Sequence, residues 1–177
     1  METIINFLST PFFDEYDKWL GLAGLILGVA LFIVYNRAVF LNYGWLKSIS
    51  ISYYSVKPHW LFKWFMWGCI LAILCISQNI MYAIVCGFFT IMTWNPTINR
   101  GERFFIPHVF CAITAITLSL LGLYLVYNLN YYFWFCVITL LISYICIHKK
   151  FNCIYIIEIL SLTLLIIGFL IMFFLQL

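Results

Sequence analysis

The stretch that decides the fold runs from Cys153 to Leu175 and reads CIYIIEILSLTLLIIGFLIMFFL. Apart from Glu158 and a few hydroxyl residues it is apolar throughout, and apolar and polar residues do not alternate in it. A helix rises 1.5 Å per residue and needs about 20 such residues to cross a hydrocarbon core of about 30 Å. A barrel strand would alternate over about ten positions. The stretch therefore predicts a transmembrane helix.

The composition of the whole chain extends this interpretation. Of its 177 residues, 66% are hydrophobic, 21% aromatic and 8% charged. A soluble domain is about one quarter charged and about half apolar, so it could not hide this much apolar surface. A disordered chain has the opposite composition. The predicted fold class is all-α, a polytopic bundle of transmembrane helices with no room for a soluble domain.

Six hydrophobic spans separated by short loops follow from the sequence. They are Lys18–Asn36, Trp60–Ser77, Asn79–Trp94, Phe105–Tyr127, Tyr131–Ile147 and Cys153–Leu175. The third span, at about 16 residues, is roughly 24 Å long. It is either a full crossing where the bilayer is thin, or part of a re-entrant hairpin with the second span. We expect residues 1–17 to form an interfacial N-terminal segment, with its helix broken at Pro11, and residues 18–177 to form a single transmembrane bundle.

The basic residues sort to one side of this six-span topology. Loops one, three and five hold, in or beside them, Arg37, Lys47, Lys57, Lys63, Arg100, Arg103, Lys149 and Lys150, all but one of the nine basic residues. The loops around Gln78 and Asn128 hold none. The positive-inside rule places the basic loops in the cytoplasm and both termini outside. The acidic N-terminus and the lack of a small-residue cleavage site predict no cleavable signal peptide. The outer half of the bundle is expected to be almost purely apolar.

The cysteines and glycines are interpreted as residues that allow close contact between helices. The seven cysteines lie in or at the ends of spans and form no CxxC motif, which argues against a disulfide framework. No metal site and no cofactor are predicted. Gly21, Gly24 and Gly28 place small side chains within the first span, where helix backbones can approach closely. Two interpretations of these glycines stay open, a dimer interface and contact within one bundle.

The polar residues converge on the predicted cytoplasmic face. The first loop, Arg37–His59, is rich in tyrosine and tryptophan, so it should lie in the headgroup layer or fold back into the bundle. Glu158 is the one acid inside a span, about 7–8 Å from the cytoplasmic end, and an ionisable residue at that depth is costly and suggests function. Its expected partner is His108, Lys149 or a tyrosine hydroxyl, with a snorkelling or purely structural role as the alternative. The candidate site consists of Ser50, Ser52, Tyr54, His59, Asn99, Arg100, Arg103, His108 and Glu158.

A resemblance rests on a small set of these residues. They are Ser50-Ile51-Ser52-Tyr53-Tyr54, Leu61-Phe62, Trp67-Gly68 and the later His108 at the head of a span. Over about Ser48 to Leu120 the pattern resembles a family of uncharacterised small six-span membrane proteins of bacteria and phages. It is more remotely similar to Frag1/DRAM-type six-span proteins, which have a serine-containing loop before the second span. The resemblance implies the six-span architecture and a bacterial inner membrane, and it implies no activity.

The leading functional hypothesis is a non-enzymatic, multi-pass inner-membrane protein whose basic cytoplasmic face binds anionic lipid or a cytoplasmic partner protein. Each basic residue near anionic lipid contributes about 1 kcal/mol. The first alternative is an oligomeric channel, or a membrane effector or sensor such as one in phage defence. Its pore would form between protomers, because conduction needs a polar path and the spans offer little polarity.

Two enzymatic alternatives use the histidines. Three histidines and Glu158 on one side would permit a metal-dependent intramembrane lipid hydrolase, although no HxxxH or HExxH motif is present. Arg103 and His108 have the R-x4-H spacing of a ribonuclease family of helical bundles, but Pro107 between them and the membrane position fit that chemistry poorly. No nucleic-acid binding is expected.

Overall fold

The structure, a computed structural model, describes residues 2–13, 15–46, 49, 52, 56–57, 59–94, 102–148 and 153–176, and of residues 94, 102–109, 153 and 176 the backbone alone. In this part of the chain the regular elements are all α-helices, so the predicted all-α class is confirmed. They are α1 (Glu2–Leu8), α2 (Lys18–Tyr43), α3 (Trp60–Ser77), α4 (Ile80–Trp94), α5 (Glu102–Leu125), α6 (Asn130–Ile147) and α7 (Cys153–Gln176).

Four of these helices are long and apolar enough to cross a membrane. They are α2, α3, α6 and the Ile154–Leu175 portion of α7. Helix α4 has 15 residues and is therefore only about 22 Å long. The apolar part of α5 with described side chains runs from Phe110 to Leu125. These lengths and compositions are compatible with a membrane protein.

Helix α2 is longer than the first predicted span. The span was expected to end at Asn36, but the helix continues through Arg37 to Tyr43 and ends at Gly44. Gly44 has a φ of 67°, and its N–H donates to the carbonyl of Phe40. Arg37 marks a change in polarity, whereas backbone hydrogen bonding stops only where glycine adopts the left-handed conformation. The helix therefore extends beyond its apolar segment.

Successive long helices run antiparallel, and α7 lies at the centre of the bundle. Helix α7 contacts α2, α3, α5 and α6, while α2 packs along α3 and α4 along α5. Helix α6 lies at the periphery, because Cys136 is its one buried residue and Tyr131 is 96% exposed. We call the end that holds the α3–α4 connection the Gln78 end, and the opposite end, where α7 begins, the Glu158 end.

The glycines of α2 allow the close approach of α2 to α3. A Cβ atom on Gly24 would lie 2.6 Å from the Cβ of Cys75 and 2.9 Å from the carbonyl oxygen of Ala72. A Cβ atom on Gly28 would lie 3.2 Å from the Cβ of Ala72, and Gly21 faces the ring of Tyr16. These contacts lie within one molecule, so the second of the two interpretations of the GxxxG pattern has a direct structural basis.

The expectation that the Gln78 end is almost purely apolar is wrong. Ser77, Gln78 and Asn79 are at most 4% exposed. Gln78 has a φ of 50° and turns the chain from α3 into α4. Its Oε1 accepts from the Asp17 N–H at 2.9 Å, and its Nε2 donates to the Asp17 carbonyl at 2.8 Å and to the Cys75 carbonyl at 2.9 Å. The side chain thereby fastens the start of α2 to the end of α3.

Tyrosines complete this polar cluster. The Asn79 amide donates to the Tyr127 hydroxyl at 2.6 Å, and that hydroxyl donates to the Ser77 carbonyl at 3.0 Å. The Tyr16 hydroxyl donates to the Ile76 carbonyl at 3.1 Å. Burial, with the neighbouring Asp17 carboxylate, raises the pKa of Tyr16 to about 12, so the hydroxyl stays a donor at neutral pH. The last carbonyls of a helix lack intrahelical partners, and these side chains supply them.

Candidate functional site

The first loop folds back onto the bundle at the Glu158 end. Its described residues Ile49, Ser52 and Val56 are buried, with Ser52 fully so. The Ser52 N–H donates to the Ile49 carbonyl at 2.9 Å, and the Val56 N–H donates to the Ser52 carbonyl at 2.8 Å. These bonds connect Ile49, Ser52 and Val56, and we call these three described residues the Ile49 turn.

Tyr35 of α2 holds this turn against α3. Its hydroxyl is 2.6 Å from the Ser52 hydroxyl, which in turn donates to the Ile49 carbonyl at 2.5 Å. The Tyr35 ring stacks on Phe65, with centroids 4.0 Å apart and planes 6° apart, and it meets Phe62 edge-on. One side chain therefore links the loop to two helices.

Glu158 of α7 binds the same turn from the other side. Its Oε2 accepts from the backbone N–H of Ile49 at 2.5 Å. Tyr155 lies three residues earlier and so shares a helix face with Glu158. Tyr155 is 1% exposed, meets Trp45 edge-on at 6.0 Å, and its buried hydroxyl has no hydrogen-bond partner among the described residues. The Glu158 carboxylate and the Tyr155 hydroxyl, which have few or no hydrogen-bond partners among the described residues, thus both lie near the start of α7.

A cavity of about 100 Å³ extends from Glu158 into the bundle. It lies between α2, α3, α4, α5 and α7, and Ile49 lines its Glu158 end. Phe89 of α4, Ala112 of α5 and Ile166 of α7 line the cavity, and Ile76 of α3 lies at the far end from Glu158. Among the described lining residues Glu158 is the single acidic side chain. The arrangement can hold an apolar molecule and offer it one hydrogen-bond acceptor.

A groove of about 770 Å³ runs between the outward faces of α2 and α3. Leu27, Leu31 and Val34 form its α2 wall, and Trp64, Trp67 and Leu71 line its α3 side. Its lining residues with polar groups include Tyr35, Asn42, Tyr43 and Lys57, and these four lie toward the Glu158 end. The groove is therefore apolar over most of its length and basic at one end.

The structure brings together two of the predicted site residues, because Ser52 and Glu158 both bind Ile49. His59 is exposed at the start of α3, away from the lining of the Glu158 cavity. Ser50, Tyr54, Asn99 and Arg100 lie outside the described residues, and so do the side chains of Arg103 and His108 in α5. The predicted pairing of Glu158 with His108 or Lys149 lies outside them as well.

Three residues of this site were not predicted. Tyr155 carries a signal in the sequence, because it lies one helical turn from the only acid inside a span. Tyr35 carries a weaker one, as a tyrosine near the end of the first span. Ile49 acts through its backbone N–H, and the identity of its side chain does not indicate that role.

Within the described part of the chain, no group of three or more His, Cys, Asp or Glu side chains is placed to hold a metal ion. His148, at the end of α6, is exposed and its Nδ1 lies 2.8 Å from the carbonyl of Ile145 in its own helix.

The fold and the site define a helical bundle, with helices able to span a membrane, that carries an apolar cavity with one acid at its end and an apolar groove with a basic end. Comparisons of the chain with protein families, with curated proteins and with solved structures found no match.

Proposed function

We propose that the protein is a non-enzymatic, multi-pass protein of the bacterial inner membrane that binds anionic phospholipid through its basic cytoplasmic face. The observation that carries this proposal is the α2–α3 groove, which combines an apolar wall with Lys57 at one end. A phospholipid has the matching layout of an apolar chain and a charged headgroup.

The length and position of the groove suit an acyl chain. Its α2 wall reaches from Leu27 to Tyr43, which is about 24 Å of helix. Trp64 and Leu71 are 69% and 53% exposed, so this face is open to the surroundings rather than covered by another helix. An apolar groove on the outside of a membrane bundle is filled by lipid chains, because no water is present to fill it.

The charges at the Glu158 end select the headgroup. Lys57 is exposed at the mouth of the groove, beside the site for the chain, whereas Arg37 and Lys63 are exposed on α2 and α3 outside the groove lining and so do not face a headgroup bound there. Anionic lipid attracts such residues by about 1 kcal/mol each. By the positive-inside rule the same residues favour a cytoplasmic location for this end. We therefore propose six crossings with both termini outside, in agreement with the six-span resemblance.

The proposal also includes two other occupants of the basic end, a cytoplasmic protein partner and a second copy of the chain in a homo-oligomer. An anionic lipid is the preferred ligand because the groove supplies a chain site beside the charge. A protein partner would use the charge and leave the apolar wall unexplained.

Lipid retention tests the proposal. The protein is reconstituted in phosphatidylcholine vesicles with and without phosphatidylglycerol, extracted in mild detergent, and analysed for bound lipid by native mass spectrometry. We expect phosphatidylglycerol to be retained over phosphatidylcholine. Lys57→Gln should reduce this preference about fivefold, because one lysine near anionic lipid contributes about 1 kcal/mol.

Two variants make the test specific to the groove. Lys63→Gln removes the same charge from α3 at an exposed residue outside the groove lining and should have a smaller effect. Ala38→Trp fills the groove near Lys57 and should reduce retention of both lipids. Equal effects of Lys57→Gln and Lys63→Gln, or no preference for phosphatidylglycerol, would contradict the proposal.

A further inference from the structure

We propose that the internal cavity beside Glu158 is a second ligand site, separate from the groove, for a small amphiphile with one hydrocarbon chain and a hydrogen-bond donor at its head. The chain would lie between α2, α3, α4, α5 and α7, and the donor would bind the Glu158 carboxylate.

The cavity is larger than the gaps that are usual between packed side chains. Its volume of about 100 Å³ is several times the roughly 10–15 Å³ that one water needs. Packed interiors contain few voids larger than a water. A chain of several carbon atoms fits this space.

The walls favour hydrocarbon over water as the occupant. A buried water makes about three hydrogen bonds, and apolar cavities of comparable size stay dry and take up apolar molecules. Here Phe65, Met66, Ile70 and Leu165 are typical of the lining, and Glu158 supplies the one acidic group. Water could be held at one end only, while an apolar chain is compatible with the whole length.

Glu158 can bind a donor in addition to lining the site of an apolar chain. A carboxylate has about four lone-pair positions, and among the described residues its donor is the Ile49 N–H, which binds Oε2. Burying a carboxyl group is costly unless hydrogen-bond donors satisfy it. A hydroxyl or protonated amine at the head of the ligand would provide such a donor, whereas an ether or an alkane would not.

The position of Ile49 gives the site a cover. Ile49 is 6% exposed, lines the cavity, and donates to Glu158. A ligand head at Glu158 would therefore lie beneath the turn that Tyr35 and Ser52 hold in place. The ligand would be bound at the end that holds the Ile49 turn.

Photolabelling tests the proposal with the full chain in phosphatidylcholine nanodiscs. The probe is octanol carrying a diazirine on its chain, and labelled residues are identified by mass spectrometry. We expect label on lining residues of different helices, such as Met92, Leu162 and Ile166. Unlabelled octanol should compete at concentrations about tenfold lower than 1-methoxyheptane, which has the same number of heavy atoms and no donor, after both are corrected for partition into lipid.

Variants separate the cavity from the surrounding lipid. Ala112→Phe fills the cavity and should abolish label at the lining residues, whereas Ile113→Phe changes the next residue, which is 60% exposed, and should not. Glu158→Leu should remove the preference for octanol over the ether. Thermal melting in the nanodiscs establishes that each variant is folded, and the competition in the unaltered protein requires no variant.

Two results would overturn the proposal. One is label confined to outward residues such as Leu141 of α6, and the other is equal competition by octanol and the ether in the unaltered protein. Neither result bears on lipid retention at Lys57, so this proposal and the proposed function fail independently.

Discussion

The carboxylate of Glu158 in α7 accepts a hydrogen bond from the backbone N–H of Ile49, which lies 109 positions earlier in the chain. The bond joins the start of the last helix to the loop between the first two long helices. Removing either partner should therefore change the loop more than it changes the helices. This difference can be measured.

Glu158→Leu should release the loop. The Ile49 amide loses its acceptor, and amide exchange follows local opening. We expect hydrogen exchange in the peptide containing Ile49 to become at least tenfold faster, with little change in α3. Ser161→Ala, one turn further along α7, removes a hydroxyl that bonds only within its helix and serves as the control. Unchanged exchange at Ile49 in Glu158→Leu would show that the bond does not hold the loop.

Gln78→Leu should destabilise the bundle. The substitution removes three hydrogen bonds and leaves the Asp17 N–H and the carbonyls of Asp17 and Cys75 without this partner. A buried polar group without a partner costs about 1–3 kcal/mol. We expect a clear fall in the melting temperature in detergent. Asn130→Leu, at the exposed start of α6, should leave it nearly unchanged, and a similar fall in both variants would refute the role of Gln78.

Gly24→Ala and Gly87→Ala form a matched pair of helical substitutions. At Gly24 the new Cβ meets Cys75 and Ala72, whereas at Gly87 nothing lies within 4 Å. Alanine favours a helix over glycine by about 1 kcal/mol, so Gly87→Ala should be neutral or stabilising. Gly24→Ala should lower the free energy of unfolding, because α2 and α3 must move apart. Comparison of the two melting temperatures checks this, and stabilisation by Gly24→Ala would contradict the close approach of α2 to α3.

Reporter fusions test the proposed orientation. Alkaline phosphatase fused at Asn128 should be active, because this position is expected outside the cytoplasm. Green fluorescent protein fused at Lys150 should fluoresce, because the basic loops stay in the cytoplasm. The reverse pattern would place Lys57 and the groove mouth outside, and the cytoplasmic lipid site would then be abandoned.

The helices were predictable because hydrophobicity is a local property of the chain. The second span, Trp60–Ser77, coincides with α3 residue for residue, and the other helices begin or end within a few residues of prediction, except where α2 passes Arg37. There the predicted apolar span ends at Asn36, whereas the backbone hydrogen bonds of α2 continue to Tyr43.

The candidate site was only partly predictable, because tertiary contacts built it. Glu158 could be identified from its depth in an apolar span. Its described partner, the Ile49 N–H, is a backbone group and is invisible in a sequence. Ser77, Gln78 and Asn79 looked like a short connection between two spans, and only the fold shows that they are buried.

The central place of α7 has a consequence for how the protein is made. Tyr82 and Leu123 find their partners Phe169 and Gly168 in α7, which is synthesised after the other described helices. At about 5–20 residues per second, the roughly 50 residues from the end of α5 to the end of α7 take about 3–10 seconds to translate. During that interval Tyr82 and Leu123 lack their α7 neighbours. We therefore expect the core around them to close only after α7 has been made.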